Sequence, residues 1–220
     1  MGQGDNADRT AEGNRVTATS RRPTRVATLP PRERILDAAE ELFLKEGIGR
    51  VGLQAIADRA KTTKMAIYRH FESKDALIVE WLRIVTHDYT AAFDKVEEEH
   101  PDDARAQLLG LAQFIADGLP AITHRGCPFI NSIAELPDPA HPARQLIQSH
   151  KAGQARRLTA MCARAGLPDP EQTCAAITFL LEGAQISAQN GSIDQAGDRL
   201  MRAVEAIVLP GAAQRKASRG

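Results

Sequence analysis

The sequence predicts an all-α chain on three observations. Apolar residues recur at helical spacing through most of the 220 residues, and no stretch holds the two-residue alternation of a half-buried strand. The breaks between periodic segments fall at Pro, Gly and Asn-Gly punctuation, where helices stop. About nine helices are expected, the short ones gathered near the N-terminus, so a small N-terminal helical domain should feed a larger helical one.

Residues 1–29 are rich in Gly, Thr, Ala and Arg, lack a helical period and end at Leu29-Pro30-Pro31, which predicts a disordered arm. Pro31 suits a first helical position. From there Ile35, Ala38, Ala39, Leu42 and Phe43 form one apolar stripe, closed by Gly47 as a left-handed stop. A second, two-turn stripe of Leu53, Ile56, Ala57 and Ala60 follows Gly52, a weak N-cap. The third holds only Ile67 and Phe71, opened by Thr62 or Thr63. Ser73 then caps a long helix through Leu77, Ile78, Trp81, Leu82 and Val85, with Asp75 in its first turn, where the helix dipole favours an acid. Two short helices about three residues apart, bracketed by longer ones, form a helix-turn-helix pattern. Neither would persist alone in water, so both must pack on their neighbours. Further helices are expected over about 75–99, 103–119, 128–136, 141–165, 169–190 and 194–208. The expected division is an arm at 1–29, a helix-turn-helix domain at 30–75, a larger helical domain at 76–210 and a disordered basic tail at 211–220.

Composition narrows the function classes. The longest nearly apolar run, Ala175 to Leu181, is far short of the roughly 20 residues of a membrane span, and the N-terminus has no apolar stretch of the secretory kind, so a cytoplasmic protein without a membrane partner is expected. Three cysteines, Cys127, Cys162 and Cys174, lack CxxC or zinc-type spacing, and the six histidines show no i, i+4 pair, so neither a disulfide framework nor a metal site is expected. No cofactor is implied. No GxSxG, HExxH, P-loop or GxGxxG is present, so nothing points to an enzyme. Net charge is zero, but the four segments 1–30, 31–85, 86–210 and 211–220 carry +2, +1, −6 and +3. Six of the basic residues, Arg50, Arg59, Lys61, Lys64, Arg69 and Lys74, lie in one 25-residue window against Asp58 and Glu72. Such a window is either a solvated helix face or a polyanion-binding surface.

The run from Ile35 to Leu77 resembles the DNA-binding domain of the tetracycline-repressor (TetR) family. The matching residues are Ala39, Leu42, Phe43 and Gly47, then Ile56-Ala57, then Ile67-Tyr68-Arg69-His70-Phe71 with Ser73-Lys74 and Leu77. The match is strong over about 45 residues and continues beyond only in style. A stretch at Arg125-Gly126-Cys127-Pro128-Phe129, with Ala134-Glu135-Leu136 and His141-Pro142, resembles one subgroup. Two departures stand out. Lys61 occupies the turn position usually held by glycine, so either it adopts a left-handed conformation or the turn differs in shape. Val51-Gly52 replaces the usual Thr-Thr, removing a hydroxyl that touches phosphate.

The resemblance implies a sequence-specific DNA-binding transcriptional regulator, a repressor that binds a palindromic operator in double-stranded DNA as a homodimer and is released by a small-molecule effector of unknown identity. Thr63, Lys64, Met65 and Ala66 open the recognition helix and are the candidates for base edges. Tyr68 should point its hydroxyl at a phosphate, with His70 and Lys74 flanking the same backbone and Arg50, Gln54 and Arg69 as further contacts. Arg21, Arg22 and Arg25 in the arm could lie in a minor groove. A dimer seam is expected from Ile177, Leu180, Leu181 and Ala184 on one helix and Leu200, Val204 and Ile207 on the next, where an intramolecular core is the alternative. Candidate pocket residues are Trp81, Tyr89, Phe93, Phe114, Phe129 and Phe179, with Cys127 and Asn131 as polar points. Alternatives are an activator, a thiol sensor at Cys127, a protein-interaction module or a helical enzyme.

Overall fold

A computed structural model describes residues 29–121 and 126–209. The arm with Arg21, Arg22 and Arg25, Arg125 itself and the basic tail lie outside the described residues. Among those described there are nine α-helices and no strand: α1 (Pro31–Glu46), α2 (Leu53–Arg59), α3 (Lys64–His70), α4 (Lys74–Glu99), α5 (Ala104–Gly118), α6 (Pro128–Glu135), α7 (Pro142–Arg164), α8 (Pro170–Asn190) and α9 (Ala196–Val208), with a single 3-10 turn after α5.

The signals that start and stop these helices are local. Pro opens α1, α6, α7 and α8, as suits a residue whose missing N–H is one of the unbonded donors anyway. The Ser73 hydroxyl accepts from the Ala76 N–H to cap α4, and the Asp103 carboxylate caps α5 from the Arg105 and Ala106 N–H groups. Gly47 ends α1 at φ +89°, a conformation that costs glycine nothing.

Two apolar clusters hold the helices together. The first is built on α1, α2, α3 and the N-terminal half of α4, from Ile35, Phe43, Ile56, Ile67, Leu77 and Trp81 among others. It also takes in Cys127 and Phe129 at the start of α6, and Ala143 and Ile147 on α7. The second joins Phe93 and Val96 of α4 to α5, the far half of α7, α8 and α9. Both α4 and α7 therefore run from one cluster into the other. Their C-terminal halves are clamped by Arg157 of α7, which reaches Asp94 and Glu97 of α4 at 2.8 Å each and lies 5.1 Å over the Phe93 ring. Close approach of α4 and α5 depends on Gly110, since a Cβ there would come within 2.9 Å of the Val96 side chain.

Candidate nucleic-acid interface and effector cavity

The reading head is assembled from buried anchors outward. Ile56 and Ala57 fix α2 and Ile67 fixes α3 in the first cluster. The connection between them closes as a Schellman motif: the Thr62 N–H donates to the Ala57 carbonyl at 2.9 Å and the Lys61 N–H to the Asp58 carbonyl at 3.2 Å. Lys61 sits at φ +52°. The left-handed turn is thus kept with lysine in the glycine position, and its two hydrogen bonds offset the strain.

The Thr63 hydroxyl oxygen accepts the Ala66 N–H at 3.1 Å and so caps α3, leaving its proton for an outside acceptor. Lys64, Met65, Tyr68, Arg69 and His70 are exposed and Ala66 is half-buried. Met65 and Tyr68 stand out as large side chains left 67% and 48% exposed. Met65 and Arg69 are one turn apart on the side of α3 away from Ile67. Lys64, Arg69, Lys61 and Arg50 are exposed and form no ion pair with any described residue. The other basic groups of the window are engaged: Arg59 pairs with Glu41, and the half-buried Lys74 ammonium approaches the Gly49 carbonyl at 3.5 Å. Gln54 donates to Asp58 at 2.8 Å. Such an unneutralised, exposed cationic helix suits a polyanion better than a protein surface of mixed charge.

A cavity of about 420 Å³ opens where the two apolar clusters meet. Of the residues expected at a pocket, Tyr89 and Phe93 of α4, Phe114 of α5 and Phe129 of α6 are on its wall. Tyr89 is the hub of a ring cluster, with centroids 5.8 Å from Phe114, 5.2 Å from Phe129 and 6.4 Å from His150. Burial pushes the Tyr89 hydroxyl well above its ordinary range, so it stays protonated. Burial, with the charge of neighbouring Lys151, pushes the His150 pKa down and favours the neutral ring.

Four expected pocket residues do not line this cavity. Trp81 is buried in the first cluster, its ring centroid 5.2 Å from that of Phe43 with the planes tilted by 57°, and lines with Asn131 a crevice of about 10 Å³, about one water's worth of space. Cys127 is buried in the same cluster, and burial raises its thiol pKa, the opposite of what a reactive thiol sensor needs. Phe179 is 72% exposed, because α8 turns it away from the interior. The expected dimer seam also needs correction. Ile177, Leu200 and Val204 are buried within one chain, in the second cluster, and a side chain already covered offers a second copy no area. Leu180, Leu181, Ala184 and Ile207 are only partly buried against that cluster. The outward face of α8 instead carries Phe179 and, two turns on, Ile186.

Five polar residues of the cavity wall escape a search for large rings: Lys151, Gln154, Thr178, Glu182 and Gln185. A signal exists for three of them. Lys151 interrupts the α7 stripe of Ile147 and Leu158, and Glu182 and Gln185 interrupt the α8 stripe of Ile177 and Leu181. Glu135, the last residue of α6, lies outside this wall, beside the Trp81 crevice, and its carboxylate accepts the Gly49 N–H at 2.6 Å, tying the cavity's wall helix to the loop before α2.

Among the described residues no helix is long and apolar enough to cross a membrane, and no group of three metal-ligating side chains is found. The family model for bacterial regulatory proteins of the tetR family matches residues 35–81. The crystal structure of a TetR-family transcriptional regulator from Streptomyces coelicolor superposes with a TM-score of 0.75 at 30% identity, over 81% of this chain and 94% of that one. The transcriptional regulator TtgR of Pseudomonas putida is 29% identical over 174 residues, 74% of this chain and 81% of its own. A probable acrEF/envCD operon repressor of Escherichia coli is 31% identical over 100 residues, 42% of this chain and 44% of its own.

Proposed function

Since the chain belongs to the TetR family of DNA-binding transcriptional regulators, which are not enzymes, we propose that it is a repressor that binds a palindromic operator as a homodimer in the cytoplasm and is released by a small-molecule effector. The observation that carries this reading is α3, anchored at one buried residue and presenting Lys64, Met65, Tyr68 and Arg69 outward with unneutralised cations. Residues 31–75 read the DNA; dimerisation and the effector belong to the remainder.

A single seven-residue recognition helix covers few base pairs, and two-fold pairing doubles its contacts and requires a symmetric site. The exposed Phe179 and Ile186 on α8 support a dimer that pairs through this outward face. Release requires an effector that prefers the conformation unable to bind DNA, by about 3 kcal/mol for a shift on the order of a hundredfold. The cavity supports that role by its position, since α4 lines it and leads from it to α3.

The test is duplex binding against salt. Operator affinity should fall steeply as salt rises, because several phosphates per half-site release counterions. Lys64→Ala should relax preference at one base position in each half-site, at about 1–3 kcal/mol. Tyr68→Phe should weaken binding to all sequences alike. Equal losses on every sequence for Lys64→Ala would remove its base-reading role, and salt-independent binding would remove the DNA reading altogether.

A further inference from the structure

The cavity between the clusters has a definite chemical character. Its wall is mostly aliphatic and aromatic, and its charged groups, Lys151 of α7 and Glu182 of α8, are paired with each other at 2.9 Å. The Lys151 ammonium also lies 5.5 Å over the Phe129 ring, so its charge is satisfied from two sides. Gln185, buried on the same wall, holds its amide nitrogen 3.3 Å from the Leu181 carbonyl. The wall is therefore electrically compensated before any ligand enters.

That compensation selects among ligands. A charged molecule entering this space adds a third charge to a satisfied pair, so one of the three must lose its partner in a partly buried setting, which is costly. An uncharged ring with a hydroxyl or carbonyl needs no such exchange. It can bond to the edge of the Lys151–Glu182 pair and face the Tyr89, Phe93, Phe114 and Phe129 rings. The volume sets the size: about 420 Å³ is nearly three times the roughly 150 Å³ of an apolar cavity that takes benzene, room for two or three fused or linked rings.

We propose that the cavity takes an uncharged aromatic molecule of two or three rings bearing a hydroxyl or carbonyl, and that the Lys151–Glu182 pair excludes organic anions and cations of the same shape. This rests on the cavity being the effector site.

Three probes of one shape test it: 2-naphthol, 2-naphthoate and 2-naphthylmethylammonium, titrated calorimetrically into the full chain near neutral pH. Naphthol should bind at least about tenfold more tightly than either charged probe. Glu182→Gln leaves Lys151 unpaired and should make naphthoate the better of the two charged probes, whereas Lys151→Met leaves Glu182 unpaired and should favour the ammonium. Circular dichroism of each variant confirms its fold, and the wild-type ranking stands independently of both. The proposal is overturned if a charged probe matches naphthol on the wild type, if none of the three binds, or if the folded variants leave the order of the charged probes unchanged. Operator release, measured in parallel, separates the two readings. Naphthol that binds without releasing DNA sinks the effector role and upholds the ligand class; a charged probe that releases DNA while naphthol is silent does the reverse.

Discussion

The two ends of α4 lie in differently built surroundings. Around Leu77 and Trp81 the short helices of the reading head close on one another, and the crevice beside Trp81 holds about 10 Å³. Around Tyr89 and Phe93 the same helix borders a cavity some forty times larger. The head needs rigid placement of a few exposed side chains, and dense packing supplies it. Under the proposed function the body needs room for a guest and a seam that can shift, and incomplete packing between two clusters supplies that. One helix belongs to both, so a change at the seam has a direct route to the head.

If packing is the difference, equal truncations should have unequal costs. Ile67→Ala, in the closed head, should lose about 2–5 kcal/mol, whereas Leu111→Ala, on the cavity wall, should fall at or below the low end of that range because part of its surroundings is already empty. Chemical denaturation measures both, and equal losses would mean that the cavity is not open in solution. The outward face of α8 belongs to the body alone. Phe179→Asp should weaken the proposed dimer at least a hundredfold while the monomer keeps its fold, since each copy forgoes burial of a phenylalanine, about 1.5–3 kcal/mol. Sedimentation against concentration decides this, and an unchanged dimer would move the interface elsewhere.

Smaller effects sharpen the picture of the head. Thr63→Ala removes the cap of α3 and should cost about 1 kcal/mol, read in thermal unfolding. Lys61→Gly should instead raise stability by about 0.5–1 kcal/mol. The comparison lies within the molecule: α7 ends in the same Schellman motif, Leu167 N–H to Cys162 carbonyl at 3.1 Å, but with Gly166 at φ +64°. A destabilised Lys61→Gly would show that the lysine side chain contributes more to the fold than its backbone strain costs.

The least effect belongs to the body and depends on pH. The folded-state pKa of His150 lies below its ordinary 6.5, so the unfolded chain takes up the proton first as pH falls. Its contribution to stability is complete above the ordinary value and declines as pH drops from there toward the folded-state pKa. His150→Gln should flatten that part of the stability profile, and an unaltered slope would place the titration on another group.

How far each region could be read from sequence follows the same division. Helix positions are encoded locally, in apolar period, Ser73 and Thr63 as caps, and Pro at first turns, and these signals act over one or two turns whatever the rest of the chain does. The outward set on α3 is just as local: once Ile67 faces the core, the helical period assigns Met65, Tyr68 and Arg69 their direction. The conformation of Lys61 was open in sequence, since its neighbours allow two turn shapes, and packing of α2 against α3 chose one.

The body depended on long-range encounters. Helix α8 has apolar residues over a wide arc, so its sequence alone does not say whether Ile177 or Phe179 turns inward; packing against α5, α7 and α9 buried Ile177 and left Phe179 outside. Likewise, Lys151 and Glu182 are 31 residues apart and become an ion pair only when α7 meets α8. Periodicity and capping chemistry therefore determined the helices and the reading surface. Which faces met, which rings lined the cavity and which charges cancelled were set by assembly, because those contacts join residues that no local pattern relates.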